Sequence, residues 1–507
     1  MRRPVNRIEA RSVRSIPSRE RTSGKLGSPP PAAWHAWVHG VVLRFGAFAL
    51  LLLLAEPWAL PAAPSPDFAA ARDEMVRILA GFIRVDTSNP PGNETRGAEY
   101  LKSHLDRAGI SSEILALEPE RGNLVARIKG NGKKRPLLLV AHLDVVGVER
   151  DKWTVDPFGG VVKGGYVYGR GAADDKGMGA ACLQVMLLLQ RFKVPLDRDV
   201  IFVAESGEES STYVGMDFLV NKHWDKIAAE FALNEGGRIF LKEGRVQYVG
   251  VATTEKVPRA VFLTARGVSG HGSRPRADNP IVHLAGAVAK LGAWQSPMRL
   301  NDTTRTFFER LARISSSPEA QFYARLADPS SSPEAQERIR QASPGYYSML
   351  RTSLSPTLIK GGFRLNVIPA DASASVDARF LPDEDHEAFA AQLRKVIDDP
   401  AVEVALAAPG SRKPTAPSRL DTEMFRALEH AQAQLFPDAA TLPMMLTGAT
   451  DSAQLRARGV QAYGVGSIFS DEDSARTHGN DERISIPGLG KFLEFLWWSV
   501  VEVAGAR

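Results

Sequence analysis

The chain has 507 residues, 44% of them hydrophobic and 24% charged, which is too long for one average domain and apolar enough for a large core rather than general disorder. Its one cysteine, Cys182, excludes an internal disulfide framework and a thiolate metal cluster, so any metal must be held by His and carboxylates. The net charge of +5 resides at the start of the chain: residues 1–63 carry nine Lys and Arg against three acids, the remainder stands at −1, and a nucleic-acid surface is thereby excluded.

In chain order, Met1 to His39 is rich in Arg, Ser and Pro and lacks apolar periodicity. Arg44 precedes an apolar run, Phe45 to Ala55, which Glu56 and Pro57 stop, and small residues follow from Ala59 to Ser65. Basic, apolar, then small is the order of a secretory signal peptide, and the run is too short for a membrane span of ~20 residues. The expectation is an exported protein, periplasmic or secreted, with no stable membrane span and with residues 1–66 outside the folded body.

Asp73 to Val85 and Gly97 to Ala108 have the periodicity of amphipathic helices. Leu137 to Ala141 (LLLVA) reads as a buried strand, Gly177 to Phe192 as a helix and Asp199 to Ala204 (DVIFVA) as another strand. Strands alternating with helices predict an α/β sheet covered on both faces, with functional groups just past the carboxyl ends of its strands. The character changes near Glu255. Ala260 to Ala265 and Ala372 to Phe380 have strand character, the second with period-two alternation, and Asp302 to Tyr347 is polar, helical in tendency and broken by SSSP and SSSPE. Residues 256–412 are expected to form an inserted α+β domain with a helical insertion, dividing the first domain into 67–255 and 413–507. Pro409 to Ser418 (PGSRKPTAPS) reads as the linker.

Polar clusters follow the expected strands and turns: His142-Leu143-Asp144, Gly169 to Gly177 (GRGAADDKG), Glu208-Glu209 and Asn234-Glu235-Gly236-Gly237, with His478 to Glu482 (HGNDE) far downstream. A single His or carboxylate at a strand end is most often structural, and a Glu-Glu pair is most often a solvated face. Adjacent carboxylates at the ends of buried strands differ, because their repulsion needs a compensating cation. Two His with several acids and no available Cys suit zinc or a similar divalent ion, and a set of this size can hold two. GRGAADDKG lacks the Gly-Lys-Ser/Thr ending that meets a nucleotide and magnesium, which disfavours a phosphate-binding loop.

The motifs HLDVV, GRGAADDKG, GEES, NEGG and HGNDER, taken together and in this order, resemble those of the two-zinc metallopeptidases that include aminoacylase, carboxypeptidase G, succinyl-diaminopimelate desuccinylase and carboxypeptidase S. The overall likeness is greatest to the carboxypeptidase S and secreted N-acyl amino acid hydrolase branch. The resemblance implies an α/β catalytic domain interrupted by a lid or dimerisation domain, two zinc ions per chain (cobalt or manganese being able to replace them), and a possible homodimer. It also implies a small substrate, an N-acyl amino acid or peptide with a free carboxylate.

Carried over by position, His142, Asp174, Glu209, Glu235 and His478 would be the metal ligands. Asp174 would bridge both ions, and Glu209 and Glu235 would serve different ones. Asp144 would fix the His142 imidazole, and Glu208 would be the general base. Several relatives have Asp where this chain has Asn234; the neutral amide leaves Glu235 as the expected ligand, and a ligand position at Asn234 would hold the second metal weakly. In the inserted domain, Ser269 to Ser273 (SGHGS) resembles a turn whose His, here His271, stabilises the oxyanion, often across a subunit interface. Asn366 and Arg379 resemble positions that bind the substrate carboxylate, and the Gly448 to Asp451 turn resembles a segment lining the cleft. The rivals are a condensing enzyme, a dipeptidase and a catalytically silent carboxylate-binding protein on the same fold. The complete ligand set with Glu208 speaks against the last.

Overall fold

The computed structural model describes residues 65–326 and 333–506. The basic tail and the apolar run Phe45 to Ala55, on which the export expectation rests, lie outside them. Among the described residues no helix is long and apolar enough to cross a membrane.

The strand Leu137–His142 is buried at every position. Leu137, Leu139 and Ala141 enter one core while Leu138 and Val140 enter another, as the alternation of side chains across a strand requires. The strand Val200–Glu205 divides in the same way, with Val200, Phe202 and Ala204 against Ile201 and Val203. Helices Phe68–Ile83, Lys176–Arg191, Glu423–Leu435 and Ile486–Ala504 close the first core; Met216–Lys222 and Ser452–Ala457 help close the second. The helix Lys176–Arg191 is buried from Lys176 through Leu189, which explains its apolar composition all round. This is the α/β sheet with helices on both faces that the alternating pattern predicts.

The large sheet runs in the order Ser112–Ala116, Gly122–Ile128, Val200–Glu205, Leu137–His142, Phe231–Asn234, Gln461–Gly464, Arg245–Glu255, Arg238–Lys242, Ile468–Phe469, with Ala440–Leu446 paired to Arg245–Glu255. The four strands from Val200–Glu205 to Gln461–Gly464 are parallel neighbours, so their carboxyl ends meet along one edge. Their register sets His142 beside Glu205 and Asn234 beside Gly464. Gln461–Gly464 comes late in the chain yet fills a central place.

A smaller antiparallel sheet has the order Ser353–Gly361, Asp371–Phe380, Val257–Arg266, Val402–Leu406. Helices Pro280–Ala293 and His386–Ile397 cover one face, where Ala372, Ala374, Val376, Ala378 and Phe380 are buried. The intervening Ser373, Ser375, Asp377 and Arg379 take the other face, which is the period-two pattern of the sequence. Only Lys256 separates the strand ending at Glu255 in the large sheet from the strand beginning at Val257 in the small one.

Four helices occupy Asp302–Ile314, Glu319–Leu326, Pro333–Ala342 and Pro344–Met349. Although the chain reaches them between strands of the small sheet, Phe307, Phe308 and Leu311 pack with Tyr248, Leu442 and Met444 of the large one. Arg310 fastens this contact by donating to the Thr441 carbonyl at 2.8 Å and pairing with Glu429.

Candidate metal centre

The edge where the parallel strands end carries the polar clusters. His142, the last residue of its strand, is buried, with Nδ1 2.9 Å from the main-chain oxygen of Asp144 and 3.6 Å from its carboxylate. The carbonyl can only accept, so Nδ1 carries a hydrogen, and in the neutral ring the lone pair is then on Nε2. That Nε2 faces Asp174 Oδ1 at 3.0 Å. The other oxygen of Asp174 lies 3.1 Å from His478 Nε2, which is 2.8 Å from Glu209 Oε1. Two triads result, His142 with Asp174 and Glu235, and Asp174 with Glu209 and His478, each with ligand atoms within 4.8 Å of one another. Asp174 belongs to both. The geometry thus pairs Glu235 with His142 and Glu209 with His478, a division that the motifs left open.

The donor set fits two divalent cations. A neutral imidazole that donates from Nδ1 offers only a lone pair at Nε2, and a lone pair 3.0 Å from a carboxylate oxygen needs a proton or a metal between them. The field supports positive charge at both places. Burial opposes protonation of His142, yet its contacts with Asp144 and Asp174 hold it well above the ordinary imidazole value. Hydrogen bonds to Asp174 and Glu209 push His478 up to about 10. Burial raises Asp175, Glu205 and Glu235 well above the carboxylate range, so the cluster holds more acid than it can keep ionised without added cations. Nitrogen and oxygen donors without sulfur suit zinc, cobalt or manganese.

Local structure explains how the ligands are aimed. Gly207, just before Glu208, has φ 79°, and a Cβ there would stand 2.3 Å from the Ser211 carbonyl oxygen, so the turn requires glycine. Gly236, just after Glu235, has φ 104°, and a Cβ would stand 2.5 Å from Leu446. Asn234 is buried, and its amide donates to Ser452 Oγ at 3.1 Å, while Glu235 joins His142. The Asp144 carboxylate accepts the main-chain N–H of Glu208 and of Glu209, each at 3.1 Å, and the Asn89 amide at 2.8 Å. It therefore ties the Glu208-Glu209 loop to the His142 strand, while the carbonyl of the same residue sets the imidazole.

Three participants escaped the sequence reading. Arg170 and Glu482, both buried, form an ion pair at 2.6 Å. Glu482 also accepts the N–H of Ala173 and of Asp174, and Arg170 reaches the His478 carbonyl at 3.3 Å. The pair thus joins the GRGAADDKG loop to the HGNDER segment, and its signal was present as one opposite charge in each motif. The third is Arg412, which donates to the Glu208 carboxylate, to the Glu208 carbonyl at 3.2 Å and to Asp451 at 3.4 Å. Nothing in a polar linker announces such a contact. Burial pushes the Glu208 carboxyl up to about 8, Arg412 opposing and Asp451 adding.

The remaining expected residues stand on or beside the small sheet. His271 is exposed, pairs with Val367 in a two-residue ladder, and accepts at Nδ1 from the Ser273 N–H at 3.1 Å. Asn366 is exposed beside it and accepts the Gly272 N–H. Arg379 Nε donates to Asp377 at 3.0 Å on the uncovered face. Among the described residues, no hydrogen bond or ion pair joins these three to the His and acid cluster.

A family model described as peptidase family M20/M25/M40 matches residues 138–496. Human N-fatty-acyl-amino acid synthase/hydrolase PM20D1 is 27% identical over 454 residues, covering 86% of this chain and 88% of the relative. The Dictyostelium discoideum protein named probable carboxypeptidase S-like 2 is 30% identical over 376 residues, 72% of this chain and 70% of its own. Among solved structures, the M20 family metallo-carboxypeptidase Sso-CP2 of Sulfolobus solfataricus superposes with a TM-score of 0.65 at 20% identity, covering 85% of this chain and 99% of that one.

Proposed function

The chain belongs to peptidase family M20/M25/M40, and from that membership we propose a hydrolase that uses two divalent cations, zinc being one of the ions its donors suit, to cleave an amide or peptide bond beside a free carboxylate. N-acyl amino acids and small peptides are its substrate class. One observation carries this reading: Asp174 is shared between two ligand triads, and the mostly buried Glu208, next in the chain to the triad member Glu209, belongs to neither.

Bound there, the cations would polarise the scissile carbonyl and acidify the attacking water. The protein's own groups do the rest. Glu208 takes a proton from that water and hands it to the leaving amine. The Asp144 carbonyl keeps the His142 proton on Nδ1, so that Nε2 stays a ligand. Arg379 presents a guanidinium suited to a carboxylate, with Asn366 beside the His271 turn. His271 would donate to the carbonyl oxygen as negative charge grows on it. These three groups would act from the small sheet of a second copy, and a homodimer is therefore part of the proposal. It is supported by the edge strand Ser353–Gly361, where Leu358 and Ile359 are 58% and 64% exposed, and by exposed Ile281 and Val282 on the neighbouring helix. Condensation of an acid with an amino acid is the second reading, favoured by relatives named synthase/hydrolase. Export from the cytoplasm rests on the order of residues 1–66 and is checked by sequencing the N-terminus of secreted protein.

Protein purified without chelators is expected to hold about two divalent ions per chain. Stripping them should abolish hydrolysis of N-acyl amino acids, and zinc, cobalt or manganese should restore it. Full turnover by metal-free protein would refute the proposal.

A further inference from the structure

We propose that Arg412 is the positioning residue for the Glu208 carboxylate, an inference that rests on Glu208 being the general base. Arg412 lies midway along the segment that returns the chain from the small sheet to the large one. One end of that segment is fastened to the small sheet, where the Ala407 N–H donates to the Ala260 carbonyl at 2.9 Å. The other is fastened to the large sheet, where the Ser418 N–H donates to the Thr253 carbonyl at 2.8 Å. Between these anchors Ser411 Oγ lies 2.8 Å from Thr212 Oγ1, and the Arg412 side chain turns inward with 19% of its surface exposed.

An arginine in a polar linker ordinarily keeps its guanidinium in water. This one gives up that hydration for three acceptors, all served by Nη2: the Glu208 carboxylate, the Glu208 carbonyl and Asp451 Oδ1. A single nitrogen therefore holds both the main chain and the side chain of one glutamate. The Asp451 side of the contact is rigid in turn. Asp451 is fully buried, and its turn is tied to Glu255 by the Thr450 N–H at 3.1 Å and the Thr450 hydroxyl at 2.9 Å. Arg456 neutralises Glu255 at 3.0 Å. The support thus runs from Glu255 through the Thr450-Asp451 turn and Arg412 to Glu208. With one carboxylate oxygen held, the other is left in a fixed direction to take a proton, and a base is effective only when so aimed.

The test is a double-mutant cycle in metal-loaded protein, with metal content and unfolding midpoint measured for each variant. E208Q alone comes first: near wild-type turnover there would overturn the assignment of the base before Arg412 is touched. R412A is expected to keep its metals and to lower kcat by about 10–100-fold, the usual cost of removing a partner that orients a reacting group, with little change in KM. Guanidinium ion should restore part of that loss. Added to E208Q, R412A should cost nothing further, because the group through which it acts is already disabled. An equal loss in both backgrounds would overturn the inference, as would a raised KM for carboxylate substrates at unchanged kcat, which would make Arg412 a substrate contact instead. If R412A does not fold, R412Q run through the same cycle decides by the same criterion.

Discussion

At the centre, each of two imidazole nitrogens faces carboxylate oxygen across about 3 Å, and the Arg170–Glu482 pair holds the two loops that bring this about. Glu482→Gln keeps the shape and removes the charge, leaving Arg170 buried without its counter-ion. We expect a stability loss of about 3–5 kcal/mol, the usual cost of breaking one side of a buried pair. We also expect metal affinity about 10–100-fold weaker, since Asp174 and His478 lose their common support. Denaturant unfolding and metal titration check the two halves, and unchanged metal affinity would separate the pair from the centre. The His and acid residues that the structure gathers into the two triads were legible as polar clusters at expected strand ends and turns, with His478 set apart downstream. Glu235 could be preferred to Asn234 from charge alone, and the Asn234 contact with Ser452 is in keeping with that choice. Arg412 was not legible, because its partners Glu208 and Asp451 lie far from it in the chain on both sides and leave no local periodicity.

Lys256, the single residue between the two sheets, is buried and donates to Ser348 and Ser353 hydroxyls at 2.8 and 3.0 Å. Burial pushes its pKa down to about 7, and Arg379 and Arg351 add to the shift. The unfolded lysine titrates near ~10.4. Between those values the unfolded chain binds more protons than the folded one, so this group makes stability rise with pH across that window. Below about pH 7 both states are charged and the cost is complete and constant. Lys256→Met should flatten the rise when unfolding free energies are compared between about pH 7 and pH 10; an identical slope in the variant would show that the junction lysine is not the source. Elements with one clean pattern were readable: the unbroken apolar run Leu137 to Ala141 emerged as Leu137–His142, and the alternating Ala372 to Phe380 as Asp371–Phe380. The hairpin Arg238–Lys242 and Arg245–Glu255 was not, its polar start and Glu243-Gly244 turn masking the strands. Ala440–Leu446 carries Pro443, which a sheet tolerates where the strand pairs on one side, as here.

For the whole molecule, the sharpest question is whether the site is completed by a second copy. Mixing His271→Ala with Glu208→Gln, each inactive alone, should restore part of the activity after subunit exchange, because a hybrid dimer has one site with both groups intact. Recovery is read by turnover, and hybrid formation by a tag on one variant. No recovery in a demonstrated hybrid would confine His271 to its own chain. The place of Gln461–Gly464 in the large sheet has a consequence of another kind, in time rather than space. While the ribosome is still adding residues before it, Phe231–Asn234 already exists with one edge open, whereas Arg245–Glu255 meets Gln461–Gly464 only at the Ala252–Gly464 pair and takes its long partner from Ala440–Leu446. The nascent protein therefore has an unsatisfied edge on Phe231–Asn234, which makes it prone to stick to its neighbours until that place is filled, and on the proposed ligand set it would still lack His478. With His478 as a proposed ligand, a hydrolase assembled in this order would stay silent until the segment from Gln461 onward has entered the middle of a sheet begun long before.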